Sequence, residues 1–321
     1  MTDDTASRGG TPPDGTQWER DLLRRFAFEA LREQRAARRW GIFFKLLAFG
    51  YVLALLALSL PRTAGPGAFG ADRVTALVDV RGVIAEGANA SADHIVQGLR
   101  AAFENEATQG VIVRINSPGG SPVQAGYIND EIHRLKAKYP GKKVYAVIQD
   151  LCASGGYYVA VAADEIYADK GSIVGSIGVR MDSFGFVDAM EKLGVERRLL
   201  TAGEHKGFLD PFLPEVPSEV AHVKGLLGEI HQQFIHTVKR GRGDRLKEDP
   251  ALFSGLVWTG ERALELGLVD ALGSSGYVAR EIIGAEDIVD FTPKEGVFDQ
   301  VARRFGAQVG SAFRELVGGF W

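Results

Sequence analysis

Apolar, β-branched runs alternate with amphipathic stretches over residues 73–293 of the chain. The runs VTALVDV, GVIVRINS and KVYAVIQD are typical of buried strands. SADHIVQGLRAAFE and PVQAGYINDEIHRLKAK, which lie between them, repeat apolar residues at helical spacing. Strands that are joined by helices of this length pair in parallel through βαβ crossovers. The pattern therefore predicts an α/β domain over residues 73–293.

Two finer features of this domain follow from the same pattern. In the helix after Ser121, the residues Val123, Tyr127, Ile132 and Leu135 are expected to form one inward face. Beyond Val216 the chain becomes mostly helical to about residue 284, and the run DIVDFT then predicts a last strand.

Residues 41–60 form a continuous apolar stretch in which only Lys45, near one end, is charged. About twenty such residues are needed to cross ~30 Å of hydrocarbon as a helix. The alternative is a cleaved signal peptide, whose apolar region has roughly 7–15 residues and lies close to the first methionine. The length and position of residues 41–60 favour an uncleaved transmembrane helix.

Arginines are concentrated on the N-terminal side of this stretch, namely Arg24, Arg25, Arg32, Arg35, Arg38 and Arg39. On the other side, the next twenty residues contain only Arg62 and Arg73. Positively charged flanks stay on the cytoplasmic side of a membrane. We therefore expect the N-terminus to be cytoplasmic and the α/β domain to lie outside.

The remaining segments are assigned from their composition. The chain divides into a cytoplasmic tail that is partly disordered and then basic and helical (1–40), the transmembrane helix (41–60), a Pro/Gly/Ala linker (61–72), the α/β domain (73–293) and an amphipathic C-terminal helix (294–321). That last helix either docks on a protein surface, its own domain or a neighbour, or lies on the membrane.

Composition excludes several classes of function. The 321-residue chain has a formal charge of −4, and no basic cluster alternates with aromatic residues, so we expect no nucleic-acid partner. Its single cysteine, Cys152, rules out an internal disulfide and a multi-cysteine metal site.

Ser154 lies in QDLCASGGYYVAVAAD, between an apolar run and a second apolar segment that reads as a buried helix. A serine in such a turn either caps the helix or acts as a nucleophile. The G-x-S-x-G elbow of hydrolases is excluded, because Cys152 stands where the first glycine belongs. The turn alone leaves both roles open.

Two glycine-rich turns are candidates for binding an oxyanion. INSPGGS ends an apolar strand before a helix, and SGG follows at Ser154. The backbone N–H groups of Gly119 and Gly155 are the candidate donors, although glycine-rich turns are common and such a turn alone is more simply explained as a plain connection. The six histidines are scattered among surface-type residues and offer no obvious general base.

Together, SPGG, ASGGYY, GSIVGSIGV and TAGEHKGFLDPF, in this order and at these spacings, resemble the SppA-type signal peptide peptidases. These are bacterial Ser-Lys serine proteases with the ClpP/crotonase fold, a core of repeated ββα units. The resemblance covers roughly residues 74–275 and includes GERALELGLVDALG. It implies a membrane-anchored endopeptidase of the bacterial inner membrane, with its catalytic domain periplasmic. The implied substrates are signal-peptide remnants or other short unfolded peptides, and no cofactor or metal is needed.

The resemblance also implies residue roles: Ser154 as the nucleophile, Lys206 as the general base, and Ser176 as the hydroxyl that orients the lysine. A lysine accepts a proton only when it is neutral, which requires burial to lower its pKa. The apolar residues Phe208, Leu209 and Phe212 near Lys206 suit such burial. His205 is the competing base.

The chain contains one core, whereas long members of the family carry two in tandem. The resemblance therefore implies a homo-oligomer with active sites at or near protomer interfaces, in which Lys206 serves either its own Ser154 or that of a neighbour. Two other functions are weighed against peptidase activity: a catalytically idle scaffold for membrane proteins, and a crotonase-like acyl-CoA enzyme.

Overall fold

The computed structural model describes residues 38–55 and 72–293. Residues 38–55 form a helix (α1) that belongs to one compact unit, and residues 72–293 belong to another. Within these two ranges, no helix combines the length and the apolar character of a membrane span. The last five residues of the predicted span (56–60), the tail (1–37), nearly all of the linker (61–71) and the C-terminal segment (294–321) lie outside the described residues.

The α/β domain follows the predicted alternation closely. Its strands are β1 (Val74–Arg81), β2 (Thr108–Ser117), β3 (Lys143–Ala153), β4 (Glu165–Ala168), β5 (Ile173–Gly175), β6 (Val257–Thr259), β7 (Ala271–Leu272) and β8 (Ile288–Asp290). Its helices are α2 (Ala92–Glu104), α3 (Pro122–Lys138), α4 (Gly155–Ala160), α5 (Val187–Leu193), α6 (Pro217–Arg242), α7 (Gly260–Glu265) and α8 (Ser275–Tyr277), which continues as a π-helix (Val278–Ile283).

The strands form one sheet in the order β6-β5-β3-β2-β1-β8, with β4 paired to β3 and β7 paired to β4. All of the pairs are parallel except β5 with β6. The predicted parallel α/β core and the last strand at DIVDFT are therefore confirmed. The short strands β6 and β7 lie in the part of the chain that the sequence indicated as mostly helical.

β3 is long enough to pair with two successive strands on one side. Its first half pairs with β4, from Tyr145 to Ile148, and its second half pairs with β5, from Leu151 to Ala153. The end of β3 is therefore paired on both sides, with β2 at Cys152 and with β5 up to Ala153. Ser154 follows directly where this pairing ends.

Both faces of the sheet are buried, as expected for parallel strands covered by crossover helices. The larger core lies under the helices and includes Phe103 of α2, Ile128 of α3 and Tyr157 of α4. A smaller cluster on the other face packs against the segment that begins at Val278. The strands are thus apolar on both faces, which is why they read as continuous apolar runs.

The predicted inward face of α3 is only half right. Ile132 and Leu135 are buried, but Val123 and Tyr127 are 56% and 59% exposed. The buried stripe also contains Ala125 and Ile128, which the expected face left out.

The C-terminal end of α6 is fixed to the sheet by a buried ion pair. Arg242 is 1% exposed, and its guanidinium donates to both carboxylate oxygens of Asp270 at 2.7 and 2.9 Å. Asp270 also accepts from the N–H of Ile166 in β4 at 2.7 Å. Burial raises the pKa of Asp270, but the hydrogen bond and charge of Arg242 outweigh it, so the pKa is lowered and the carboxylate is charged. This ion pair therefore fixes the C-terminal end of α6 to the residue directly before β7.

Candidate active site

Ser154 lies in the tight turn between β3 and α4. Its N–H donates to the carbonyl of Gly175 at 2.8 Å, and its backbone has φ 52° and ψ −122°. Such a conformation costs a non-glycine residue of order 1–3 kcal/mol and is found at functional sites. The side chain makes no capping hydrogen bond to α4. The capping interpretation is therefore wrong, and the hydroxyl remains available for chemistry.

Small residues make this turn possible. A methyl group at Gly156 would lie 3.1 Å from the carbonyl oxygen of Ser117.

The residues on either side of this turn are buried. Tyr157 is fully buried, and its hydroxyl donates to the carbonyl of Leu268 at 2.7 Å. Cys152 is also fully buried, and burial raises the pKa of its thiol far above the ordinary range. The serine, and not the nearby cysteine, is the accessible nucleophile.

The SPGG loop packs against this turn. Ile84 holds the loop on its other side, because its N–H donates to the carbonyl of Gly119 and its carbonyl accepts from the N–H of Ser121, at 2.9 and 2.8 Å. A methyl group at Gly119 would lie 2.6 Å from the nitrogen of Gly155, and one at Gly120 would overlap the carbonyl of Ile84. Glycine is required at both positions for the loop to approach so closely.

Of the two glycines in this loop, only Gly119 has a hydrogen-bond acceptor for its N–H group among the described residues. The N–H of Gly119 donates to Oγ of Ser117 at 3.1 Å, and that hydroxyl donates in turn to the carbonyl of Gly82 at 2.6 Å. The N–H groups of Gly120 and Gly155 have no acceptor among the described residues. The available donors are therefore Gly155 and Gly120, with Gly119 already engaged. The sequence signal that was missed is Ser117, two residues before Gly119, which can accept a local N–H.

Ser176 follows β5 and lies in the same region. Its φ of 53° is also positive, and its N–H donates to the carbonyl of Leu256 at 2.7 Å. The next residue, Ile177, accepts at its carbonyl from the ring of His231 in α6 at 3.1 Å. Hydrogen bonds to Leu256, just before β6, and from His231 in α6 thus fix the segment that carries the Ser176 hydroxyl.

Ser154, Gly155, Gly119, Gly120 and Ser176 line one cleft of about 880 Å³. Its walls combine apolar side chains, such as Val123, Ile230 and Phe234, with the polar side chains of Tyr158, Arg180 and Gln233. Val123, one of the misassigned residues of α3, therefore faces this cleft and not the core.

Lys206 does not line this cleft. Among the described residues, none from 181 to 229 contributes to the lining, and Lys206 itself is exposed in a series of turns. The described residues do not provide the burial expected for this lysine. His205 is exposed as well, with its ring 3.5 Å from the carboxylate of Glu219. The structure brings together Ser154, Ser176, Gly119 and Gly155, and it leaves Lys206 apart from them.

Comparisons with known proteins identify the family to which this chain belongs. Residues 136–287, which include Ser154, Ser176 and Lys206, match the model of peptidase family S49. The chain is 33% identical to the "Putative protease slr0021" of Synechocystis sp. over 199 residues, which is 62% of this chain and 69% of that protein. It is 32% identical to Protease 4 of Haemophilus influenzae over 209 residues, 62% of this chain and 32% of that protein.

A further relative carries a different name. The chain is 44% identical over 214 residues to the Na(+)/H(+) antiporter NhaA of Brucella melitensis, an alignment that covers 66% of this chain but only 29% of the antiporter. The chain thus spans less than a third of that relative. The family match and the coverage of the Synechocystis protein show that the chain belongs to peptidase family S49, the SppA-type peptidases.

Proposed function

We propose that the protein is a membrane-anchored serine endopeptidase, in which Ser154 attacks the peptide carbonyl and Lys206 accepts its proton. The observation that carries the proposal is the strained Ser154, whose hydroxyl caps no helix and which lies beside the N–H groups of Gly155 and Gly120, for which residues 38–55 and 72–293 supply no acceptor. A nucleophile next to preformed oxyanion donors is the arrangement that acyl transfer requires. The parallel sheet and the glycine-rich loops also support the proposed ClpP/crotonase relationship.

The chemistry proceeds in two halves. Ser154 Oγ adds to the carbonyl carbon while its proton passes to Lys206 Nζ, and the oxyanion accepts hydrogen bonds from Gly155 and Gly120. Collapse expels the amine, which takes the proton from Lys206, and leaves an acyl-enzyme at Ser154. A water molecule, deprotonated by Lys206, then releases the acid and restores Ser154. Ser176 orients the Lys206 amine throughout.

Lys206 is proposed to act on Ser154 of a neighbouring protomer. In support, the segment from residue 181 to 216 does not enter its own cleft, and α5 within it has no buried residue. This segment also exposes many large apolar side chains, namely Met181, Phe184, Leu193, Val195, Leu200, Phe208, Phe212 and Val216. An apolar surface of this extent is typical of a protein interface. Docking on a neighbour would also supply the burial that a neutral lysine needs.

The substrates proposed are signal-peptide remnants and other short unfolded chains, because the cleft is open and part of its wall is apolar. Anchoring by residues 41–60, with the domain outside the cytoplasm, would bring such peptides from the membrane to the cleft. Sodium–proton exchange, which the name of the Brucella relative indicates for that protein, is not proposed for this chain.

The test uses the full-length protein in detergent and a panel of fluorogenic peptides. Ser154→Ala and Lys206→Ala should each abolish turnover, and Ser154→Ala should also abolish labelling by a fluorophosphonate. When the two inactive variants are mixed and allowed to exchange protomers, a fraction of activity should return, because some sites pair an intact serine with an intact lysine. Full activity in either variant would refute the dyad. Exchange without recovery would show that each site lies within one chain.

A further inference from the structure

The backbone of the loop that carries Lys206 forms its hydrogen bonds within its own turns, and the side chain of Leu199 packs against Gly207. These hydrogen bonds join residues that are close in sequence, and their donor–acceptor distances are long. The N–H of Lys206 donates to the carbonyl of Gly203 at 3.2 Å, and the N–H of Asp210 donates to the carbonyl of Gly207 at 3.3 Å. Residues 201–208 contain no helix or strand, and Lys206 is exposed. Bonds of this kind do not by themselves hold a side chain in one orientation.

Arg197 and Asp210 connect this loop to the preceding segment of the chain. Nη2 and Nε of Arg197 both donate to Oδ2 of Asp210, at 3.0 and 3.3 Å. The other carboxylate oxygen accepts the N–H of Phe212 at 2.9 Å. The Asp210 side chain is only 11% exposed, whereas that of Arg197 is 41% exposed. The N–H of Phe212, and then Arg197, lower the pKa of Asp210, so the carboxylate is charged at neutral pH.

The contacts around Asp210 fix the C-terminal end of the loop. The carbonyl of Pro211 accepts the N–H of Phe186 at 2.7 Å, and the rings of Phe186 and Phe212 stack with their centres 5.3 Å apart. Leu209, directly before Asp210, has a φ of 55°. A leucine adopts that strained conformation only where its surroundings impose it. The loop therefore has a firmly held end four residues beyond Lys206.

We propose that the ion pair between Arg197 and Asp210 positions Lys206 for proton transfer. Proton transfer requires the amine to reach the serine hydroxyl within hydrogen-bonding distance, and a misplacement of about 1 Å can reduce the rate by roughly a hundredfold. Arg197 lies on a separate stretch of chain, so its bond to Asp210 limits the positions that the loop can adopt. The inference rests on the proposed function, because it assigns a role through Lys206 and not through contact with substrate.

The chain offers a matched control for this ion pair. Arg198 and Glu196 form a pair in the same segment, with Nη2 and Oε2 3.0 Å apart, but both side chains are largely exposed, and in the described part of the chain neither is hydrogen-bonded to the loop. Asp210→Asn removes the charge while keeping an oxygen that can accept the N–H of Phe212, and Glu196→Gln makes the same change of charge in the control pair. Arg197→Lys retains a cation but not the guanidinium geometry.

The experiment measures kcat and KM for a fluorogenic peptide with the full-length protein. Asp210→Asn should lower kcat about tenfold with little change in KM, Arg197→Lys should lower it less, and Glu196→Gln should leave it unchanged. The thermal unfolding midpoint and the oligomer size should match those of the wild type in all three variants. If kcat is unchanged in Asp210→Asn and Arg197→Lys, or falls equally in Glu196→Gln, the proposal is overturned.

A second measurement separates positioning from a general structural role. In a Lys206→Ala background, adding Asp210→Asn should not further slow the residual hydrolysis of a p-nitrophenyl ester, because no lysine remains to be positioned. A further loss of similar size would overturn the proposal. If Lys206→Ala alone keeps full peptidase activity, the proposed base is wrong. If Lys206→Ala is inactive but Asp210→Asn is normal, only the positioning role fails.

Discussion

Ser154 and Ser176 each follow directly on the last paired position of the β3–β5 ladder, Ala153 opposite Gly175. The N–H of Ser154 donates to the carbonyl of Gly175 at 2.8 Å, and both serines have a positive φ, 52° and 53°. Two strands therefore end together and deliver two hydroxyl groups to one cleft. In the proposed mechanism, the first hydroxyl reacts and the second orients the incoming lysine.

Ser176→Ala should reduce kcat about 10- to 100-fold, less than the loss in Ser154→Ala, because Ser176 forms no covalent bond with substrate. Steady-state turnover of a fluorogenic peptide measures both variants, and fluorophosphonate labelling of Ser154 should be slowed but still detectable in Ser176→Ala. A loss as complete as that of Ser154→Ala would mean that Ser176 itself takes part in bond making.

Gly120→Ala should abolish activity and destabilise the loop, because a methyl group there would overlap the carbonyl of Ile84 and Gly120 has a φ of 150°. Loss of one oxyanion donor alone costs roughly 10²–10³ in kcat. Gly126→Ala is the matched control, since a methyl group at this position of α3 meets nothing within 4 Å. Turnover and thermal unfolding of both variants check the prediction, and near-normal kcat in Gly120→Ala would contradict it.

Glu131→Gln should lower the free energy of unfolding by about 1–2 kcal/mol at pH 7. Hydrogen bonds from Arg134 and then Arg100 outweigh the effect of burial and lower the pKa of this carboxyl to about 2. Because the pKa of the folded state lies below that of the unfolded chain, the stabilisation is complete above about pH 4.5 and is lost as the pH falls through about 2. Urea unfolding of the full chain at several pH values should show the difference between wild type and variant shrinking in that range. If the difference in unfolding free energy between wild type and variant stayed constant down to pH 2, the stabilisation would not come from the charge of Glu131.

The predicted topology places residues 61 onward outside the cytoplasm, because arginines precede residues 41–60 and are sparse after them. An alkaline phosphatase reporter fused after residue 70 should be active, since that enzyme requires export to form its disulfides. A reporter that fluoresces only in the cytoplasm should be dark at the same junction. The opposite pair of results would overturn the orientation.

The parallel core was predictable because its strands are buried on both faces, so their apolar runs are long and β-branched. The face of α3 was predicted only in part, since large side chains such as Val123 and Tyr127 are exposed and small Ala125 lies in the core. The register that makes Ala153 pair with Gly175 depends on contacts between distant segments, which no local pattern contains. The same limit applies to the oxyanion donors. The N–H of Gly119 donates to Ser117 Oγ, whereas the N–H of Gly120 remains available for an oxyanion.

Lys206 shows a second limit of prediction from the sequence. The resemblance in sequence assigns its role, but the described chain leaves its side chain exposed and outside the lining of the Ser154 cleft. The environment of such a residue depends on what packs against residues 181–216, and the sequence of one chain does not specify that arrangement.

The backbone of Ser154 also bears on how this protein can be made more thermostable. Its φ and ψ fall where glycine is accommodated and other residues are strained. Ser154→Gly should therefore raise the thermal unfolding midpoint, because the strain it relieves, of order 1–3 kcal/mol, exceeds the roughly 0.4–1 kcal/mol of extra entropy that glycine gives the unfolded chain. The same change removes all peptidase activity. A selection for heat resistance alone would then favour loss of the nucleophile, and only a selection that also demands catalysis would retain it.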